Sequence, residues 1–433
     1  MPTFSAGTSA KRLRHLLNVG GLQAISVLSS LIILAVMGQK SSASAVGDFA
    51  FVTALAFLVA NVSTFGFGHA ALSRYARLVV SPWGANAIKH QMRQSAELVI
   101  IFGAVCSLLV ALILYFLDQS SAMVLGAILW TWLATILMYL SDQARALNKV
   151  GLAAWISSGG VGVSPLASLS SLLSVSIFSS NTLPLEAVAL WSLNLGGILV
   201  LCFSAHRILG NPVDFFSIKS KYKKAYLLKN SWPFAISRFA PAYQSGDVVL
   251  IGLLLPADIT GIYAAASRLA ATLNFPMTVV VKVFSPEIAK HWARNYFKKL
   301  KKTLTFATVT SAIAVSSMAI PLIAFPETVL EALFGPTYKE ASALLGILIL
   351  GRLISGFCGP MGATMTAMGY GKPLAASVLI TATLAFLVGS LATLLYGVMG
   401  TAIVFATALI GQNVYQLMFV TNRLRRQSVK CGE

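Results

Sequence analysis

The sequence predicts an all-α integral membrane protein with about twelve transmembrane helices. Of its 433 residues, 57% are hydrophobic and only 10% are charged, and the mean hydropathy is +0.80. A typical soluble domain contains about 25% charged residues and about 45–50% apolar ones. This composition excludes a soluble enzyme, a disordered protein and a nucleic-acid-binding protein.

Twelve apolar segments reach the roughly 20 residues that a helix needs to cross the hydrocarbon core. In the first half they are Leu16–Met37, Ala45–Gly66, Ala96–Leu117, Ala122–Ser141, Gly151–Phe178 and Leu185–Ala205. In the second half they are Trp232–Leu255, Gly261–Pro286, Leu304–Phe325, Ala341–Met368, Pro373–Gly397 and Thr401–Val420. The first run exceeds the apolar core of a signal peptide and lacks a clear cleavage site, so we expect it to be retained as a helix.

The basic residues are distributed unequally between the two sides that this topology defines. Loops and tails on the side of the termini carry 26 of the 32 Lys and Arg residues, the opposite side carries 2, and 4 lie inside spans. The positive-inside rule therefore predicts that both termini are cytoplasmic. We interpret the basic runs 219–224 and 298–302 primarily as determinants of this topology. The alternative interpretation is that they contact an anionic lipid or substrate.

A weak internal repeat appears at an offset of 214 residues. Val46–Ala50 aligns with Thr260–Ala264, and both segments lie near the start of the second helix of a half. Parallel halves of this kind occur in several transporter folds. We predict an N-terminal six-helix lobe at 1–206, a basic cytoplasmic linker at 207–231, and a C-terminal six-helix lobe with a basic tail at 232–433.

The predicted spans contain four deep cations and one deep acid. The cations are Arg238, Arg268, Lys282 and Arg352, and the acid is Asp247. A charge at the bilayer centre costs about 2.5–3.5 kcal/mol on insertion scales, so such residues normally have partners or functions. A surplus of buried cations predicts an anionic substrate.

Two alternatives remain open for these charges. Asp247 could neutralise an arginine, and Arg352 is the favoured partner because Arg238 lies nine residues away on the same helix and points elsewhere. Asp247 could instead couple transport to a proton or another cation. Lys282 lies one turn from a helix end and can extend its amine to the interface, so it is the weakest substrate candidate.

Motifs for other chemistry are absent from the sequence. It contains no Walker motif, no His/Cys/Glu cluster typical of zinc, and no large external loop typical of a glycan polymerase or ligase. We therefore expect no enzymatic activity, no catalytic residue, no metal and no cofactor. Gly and Pro residues cluster in the fifth, seventh, eighth and tenth spans, which predicts broken helices beside a cavity.

Several stretches resemble the polysaccharide flippases of the multidrug/oligosaccharidyl-lipid/polysaccharide exporter superfamily. They are Val46–Phe49 with Phe65–Gly68 and Arg74, Gly261–Leu269 with Phe284–Ile288, Leu333–Tyr338 with Leu344–Arg352, Gly369–Lys372, and Gly397–Ala402. The order and topology of these stretches match that family over nearly the whole chain. The resemblance implies two six-helix lobes around a central cavity.

The resemblance also implies a function. Members move a polyprenyl-diphosphate-linked oligosaccharide, such as a lipopolysaccharide O-antigen repeat unit, to the outer face of the bacterial inner membrane by alternating access. Arg268 and Arg352 fall in matching segments and would face the anionic part of the substrate, whereas Arg238 has no firm counterpart. Expected partners are the lipid-linked oligosaccharide, membrane lipids and other polysaccharide-assembly proteins, but no nucleic acid. The alternatives are a drug/cation antiporter of the same superfamily and a membrane glycan polymerase or ligase.

The charge bias makes a direct prediction of topology. In a variant without the four native cysteines, cysteines placed at Lys40 and Lys339 should react with an impermeant thiol reagent in intact cells. Cysteines at Lys223 and Lys299 should not react, because the positive-inside rule places them in the cytoplasm. Labelling of the last two positions would contradict the twelve-span topology.

Overall fold

A computed structural model describes residues 7–68, 70–71, 75, 84–147, 149–156, 164–178, 184–209, 224–237 and 245–430. Within these ranges all regular structure is helical, which confirms the predicted all-α class. Eight of the helices described are long and apolar enough to cross a membrane, judged by length and composition. The chain divides into two compact units, Met1–Leu253 and Leu254–Glu433.

The first unit is built around its fourth helix. Its helices are α1 (Gly7–Lys40), α2 (Ala43–Ser63), α3 (Gly84–Phe116), α4 (Ser121–Ala146), α5 (Val150–Ile156), α6 (Pro165–Ile177), α7 (Leu185–Leu209), α8 (Lys224–Ser237) and α9 (Gly246–Leu254). α4 packs against α2, α3, α5 and α7, and its Trp130 is fully buried. Gly197 of α7 permits this packing, since a Cβ there would lie 3.1 Å from the Trp130 ring.

Polar contacts at one end of the first unit agree with the predicted alternation of spans. Lys40 Nζ, at the end of α1, donates to the Ser176 carbonyl near the end of α6 at 2.6 Å. Gln119, in the turn before α4, donates to Asp48 Oδ1 in the first turns of α2 at 2.8 Å. Helix ends that the topology assigns to the same, external side therefore lie together.

The second unit has a similar centre. Its elements are α10 (Ala257–Ala271), α11 (Asn274–Ala293), α12 (Phe297–Ala324), α13 (Pro326–Phe334), a 3₁₀ helix (Pro336–Ala341), α14 (Ser342–Cys358), α15 (Met361–Ala367) and α16 (Gly371–Lys430). α14 packs against α10, α12 and α16. In each unit the helix of the fourth span thus contacts those of the second, third and sixth, as a repeat requires.

The long α16 consists of two helices that fold back on each other at Gly397. This residue has φ 62° and ψ −150°, which interrupts the helix. Across the bend the hydroxyls of Thr393 and Thr401 lie 2.5 Å apart, and the rings of Phe386 and Phe405 have centroids 5.9 Å apart. The bend lies where the sequence separates the eleventh and twelfth spans, which confirms that boundary.

The division between the units lies inside the predicted seventh span. α9 belongs to the first unit because it packs against α2, where the Phe51 ring occupies the space that a side chain at Gly252 would need. The lobe boundaries at 206 and 232 stay a prediction.

Two of the predicted helix breaks are present. Between α10 and α11 the amides of Thr272 and Leu273 donate to carbonyls three residues earlier, at 3.2 and 3.1 Å, and the turn tightens there. α14 ends before Gly359, whose φ of 77° is left-handed and whose missing Cβ would contact Thr308 of α12. Pro321, in contrast, lies inside α12 without ending it. The breaks in the fifth and seventh spans fall largely at 157–163 and 238–244, outside the described ranges.

Close packing of α14 makes a prediction about its glycines. A Cβ at Gly351 would lie 3.1 Å from Ala406 Cβ of α16, whereas a Cβ at Gly346 on the same helix has nothing within 4 Å. Gly351→Leu should therefore cost about 1–3 kcal/mol through overpacking. Gly346→Leu is the matched control, and its melting temperature in detergent should stay near the parent value. Equal melting temperatures for the two variants would contradict the role of α14 as the centre of this unit.

Candidate functional site

Arg268 and Arg352 lie on two helices of the second unit that pack together. Arg268 is eleven residues after Ala257, the start of α10, and Arg352 is ten residues after Ser342, the start of α14. With a rise of 1.5 Å per residue, each lies about 15 Å along its helix. α10 packs against both α14 and the 3₁₀ helix that precedes it, and the predicted topology runs both helices inward from the outer side. Two of the predicted cations therefore lie on neighbouring helices, each inside a predicted span.

The ending of α10 stabilises the charge of Arg268. This half-buried residue lies in the last turn of α10, where the helix dipole presents its negative end. The break at Thr272 places that helix end within a predicted span rather than at a membrane surface. A cation at this depth is thus partly compensated by the backbone before any ligand is present.

Tight packing, rather than a helix end, holds Arg352. It lies in the interior of the 17-residue α14 and is half-buried. Gly351 brings this helix close to α16, and Gly356 brings it close to α12, where a Cβ would lie 3.0 Å from Val315 Cβ. The backbone that carries Arg352 is therefore held between two neighbouring helices.

Asp247 belongs to the first unit and begins a helix. It is 4% exposed and lies in the first turn of α9, and its Oδ1 accepts a hydrogen bond from the Val248 amide at 2.8 Å. A carboxylate is favoured at this position because the helix dipole is positive there. The two predicted roles of Asp247, as an arginine partner or as an ion-coupling group, stay predictions.

The structure places Lys282 on a different helix from the arginine pair. It lies on α11, beyond the break at Thr272 and Leu273, and α11 packs chiefly against α12 and α15. Arg268 and Lys282 are 14 residues apart, close to four helical turns, but they would share a face only on an unbroken helix. Arg238 lies outside the described residues. The assignment of all four cations to a substrate site remains a prediction.

A buried acid lies just past the predicted end of the fourth span. Asp142, in the first unit, is only 2% exposed, and α4 continues beyond it to Ala146. Its Oδ1 lies 3.6 Å from Arg145 Nη1. Its carboxylate also packs against Gly68, where a Cβ would overlap it.

The turn after α2 accounts for the burial of Asp142. Phe65 and Gly66 both have positive φ, 46° and 68°, and the turn that they form brings Gly68 against α4. The sequence offers the Phe65–Gly68 stretch as a motif but does not show what it packs against. In the sequence, Asp142 directly follows an apolar segment, and it would therefore be assigned to a loop.

Comparison with known proteins begins with the sequence. No protein-family model matches the chain. A curated relative, the probable low-salt glycan biosynthesis flippase Agl15 of Haloferax volcanii, is 23% identical over 194 residues. The alignment covers 44% of this chain and only 40% of that protein.

Solved structures match over almost the whole chain. The lipid II flippase MurJ in an inward closed conformation has a TM-score of 0.69 at 14% identity, and the match covers 95% of this chain and 90% of MurJ. An inward-facing multidrug resistance MATE transporter of the MOP superfamily has a TM-score of 0.68 at 12% identity, with 94% and 95% covered. The chain has the fold of the MOP-superfamily transporters. The resemblance inferred from the sequence is thereby confirmed at the level of the fold, and all three similar proteins are named as flippases or transporters.

The capping of Asp247 makes a prediction about its replacement. Asn keeps an oxygen that can accept from the Val248 amide, so Asp247→Asn should retain most of the stability, whereas Asp247→Ala should lose about 1 kcal/mol. Asp258→Asn, at an exposed position in the first turn of α10, is the matched control and should change little. Thermal unfolding in detergent measures all three. A loss of about 3–5 kcal/mol for Asp247→Asn would instead assign the acid to a buried ion pair.

Proposed function

We propose that this protein is a flippase that moves a polyprenyl-diphosphate-linked oligosaccharide from the cytoplasmic to the outer face of the membrane by alternating access. The observation that carries the proposal is the pair Arg268 and Arg352, which lie on two packed helices inside predicted spans. A guanidinium group binds phosphate oxygens in a bidentate manner and stays protonated at any physiological pH. Two of them on neighbouring helices suit a diphosphate.

The energetics of buried charge support an anionic cargo. An arginine inside a span costs about 2.5–3.5 kcal/mol on insertion scales, and a bound diphosphate would lower that cost further. Export of an anion from a cell with a negative interior is favoured by about 2.3 kcal/mol per charge per 100 mV. Coupling to an ion gradient is therefore not required by the energetics. Arg238 and Lys282 remain secondary candidates for the same substrate.

The names of the similar proteins favour this class of cargo. The curated relative is named for glycan biosynthesis and one structural neighbour for lipid II, whereas another is a multidrug resistance transporter. A drug/cation antiporter is thus the second candidate function. Burial of Asp142 and Asp247 favours that candidate, because carboxylates suit a cationic drug or a coupling ion.

We place the protein in the cytoplasmic membrane as a multi-pass protein with both termini in the cytoplasm. The charge bias of the loops supports this orientation. The family resemblance suggests the bacterial inner membrane, while the curated relative belongs to an archaeon. Partners under this proposal are the lipid-linked oligosaccharide, membrane lipids and other membrane proteins of polysaccharide assembly.

Reconstitution into proteoliposomes tests the proposal. A polyprenyl-diphosphate disaccharide is supplied in the inner leaflet, and an impermeant lectin detects its arrival outside. Arg268→Ala or Arg352→Ala should slow translocation by about tenfold to a hundredfold, the cost of one or more charge-assisted hydrogen bonds. Replacement by Lys should restore part of the rate, since lysine keeps the positive charge but lacks the planar guanidinium group that donates two parallel hydrogen bonds. Arg294→Ala, exposed just after α11, is the matched control and should transport normally.

Two results would overturn the proposal. Full activity of both Ala variants would remove the arginine pair from the substrate path. Efflux of a fluorescent organic cation by the intact protein, lost on Asp142→Asn or Asp247→Asn, would favour the antiporter instead.

A further inference from the structure

A cavity of about 450 Å³ opens in the second unit between the first turns of α12 and the last turns of the second helix of α16. Three cations and three hydroxyl side chains line its polar part: Lys298, Lys301 and Arg425, and Thr305, Thr308 and Thr421. Neither Arg268 nor Arg352 lines it, and none of the residues described along its wall is acidic. It is therefore separate from the proposed transport site.

The remaining wall of the cavity is apolar and largely buried. Leu304, Met361 and Val420 line it and are only 6%, 4% and 1% exposed. These three side chains belong to a buried cluster that joins α12, α15 and α16. The cavity thus has a floor that is part of the hydrophobic core, unlike a patch of lysines on an open surface.

The cavity lies where a lipid headgroup meets the hydrocarbon. Lys298 and Lys301 precede Leu304, the predicted start of the ninth span, and Arg425 follows Val420, the predicted end of the twelfth. Its cations are therefore at the depth of the lipid headgroups, and its apolar floor lies where the hydrocarbon layer begins. The positive-inside rule explains why such loops are basic, but not why cations from two distant segments converge above an apolar floor.

We propose that this cavity binds the phosphate headgroup of a lipid, with the start of the hydrocarbon chain against Leu304, Met361 and Val420. A volume of about 450 Å³ lies within the range of small-molecule sites, and it accommodates a phosphate and several methylene groups. The planar guanidinium group of Arg425 can donate two hydrogen bonds to a phosphate, and the two lysines add compact positive charges. The ligand class is a phosphate of net negative charge, without a compensating cation such as choline, on a hydrocarbon chain that is either diacyl or polyprenyl.

A neighbouring opening increases the positive potential at this place. It has a volume of about 860 Å³ and is lined by Lys298, Lys299, Lys301 and Lys302, with Glu287 as an acid on its wall. Clustered charge of one sign concentrates anions locally and accelerates their arrival. The larger opening thus delivers anionic headgroups, and the smaller cavity with its apolar floor retains them.

Lipid retention, measured by native mass spectrometry on the purified full-length protein, tests the proposal. The probes are phosphatidylglycerol, undecaprenyl phosphate, phosphatidylcholine and inorganic phosphate. The test variant combines Lys298→Gln, Lys301→Gln and Arg425→Gln. The matched control combines Arg294→Gln, Lys372→Gln and Arg426→Gln, which removes the same charge from the predicted cytoplasmic side at exposed positions that line neither opening.

The proposal predicts that the test variant binds phosphate lipids on the order of a hundredfold more weakly, roughly fivefold per cation removed. The control should change by no more than a few-fold, and inorganic phosphate should compete poorly because it lacks a chain. Preference for phosphatidylglycerol would identify a bilayer lipid as the source, and preference for undecaprenyl phosphate would identify a polyprenyl carrier. Equal loss in test and control variants, or equal retention of phosphatidylcholine, would overturn the proposal.

A second variant fills the cavity without changing its charge. Thr421 is exposed and donates its hydroxyl to the Leu417 carbonyl at 2.9 Å within its own helix, so Thr421→Trp should fold normally. The indole should block the floor and reduce retention of both phosphate lipids at least tenfold, with an unchanged melting temperature. Parent-level lipid retention by Thr421→Trp would show that these lipids bind elsewhere.

Discussion

Close approach of helices through small residues is the constraint on which the rest of this structure depends. Lipid tails are as apolar as leucine, so helices in a membrane associate through tight packing rather than through the hydrophobic effect. α14 illustrates this, since Gly351 and Gly356 leave room for Ala406 and Val315 on opposite neighbours. α4 has the same place in the first unit, with Gly197 of α7 against its Trp130. Close packing of the backbones holds both fourth-span helices in place. The side chains on these helices are therefore fixed in position.

Helix ends inside the apolar segments provide the second organising feature. A membrane helix must satisfy its own backbone groups, so an interruption leaves partial charges that need compensation. Arg268 lies in the last turn of α10 and Asp247 in the first turn of α9, each with the sign that the local helix dipole favours. The helix ends that these breaks create therefore stabilise buried charges of the matching sign. A substrate diphosphate and the backbone would then share the stabilisation of these groups.

The two proposed phosphate sites differ in depth and in chemistry. Arg268 and Arg352 lie about 15 Å along their helices, inside predicted spans. The cavity under Lys298 and Arg425 lies at the level of headgroups and keeps one side open. A flippase needs both environments, because its substrate enters from a leaflet as an amphiphile and crosses as a desolvated anion. The shallow cavity is suited to the first step, and the arginine pair to the second.

The sequence by itself determined the all-α membrane class and predicts the twelve spans, the orientation and the deep cations, because hydropathy and charge are summed along short continuous segments. It also located the bend at Gly397 and the breaks near Pro276 and Gly359, where local backbone chemistry is decisive. Tertiary structure alone decided that Asp142 is buried against Gly68, and that cations from α12 and α16, more than a hundred residues apart, line one cavity. Those features depend on which distant segments pack together. No periodicity along the chain records that information.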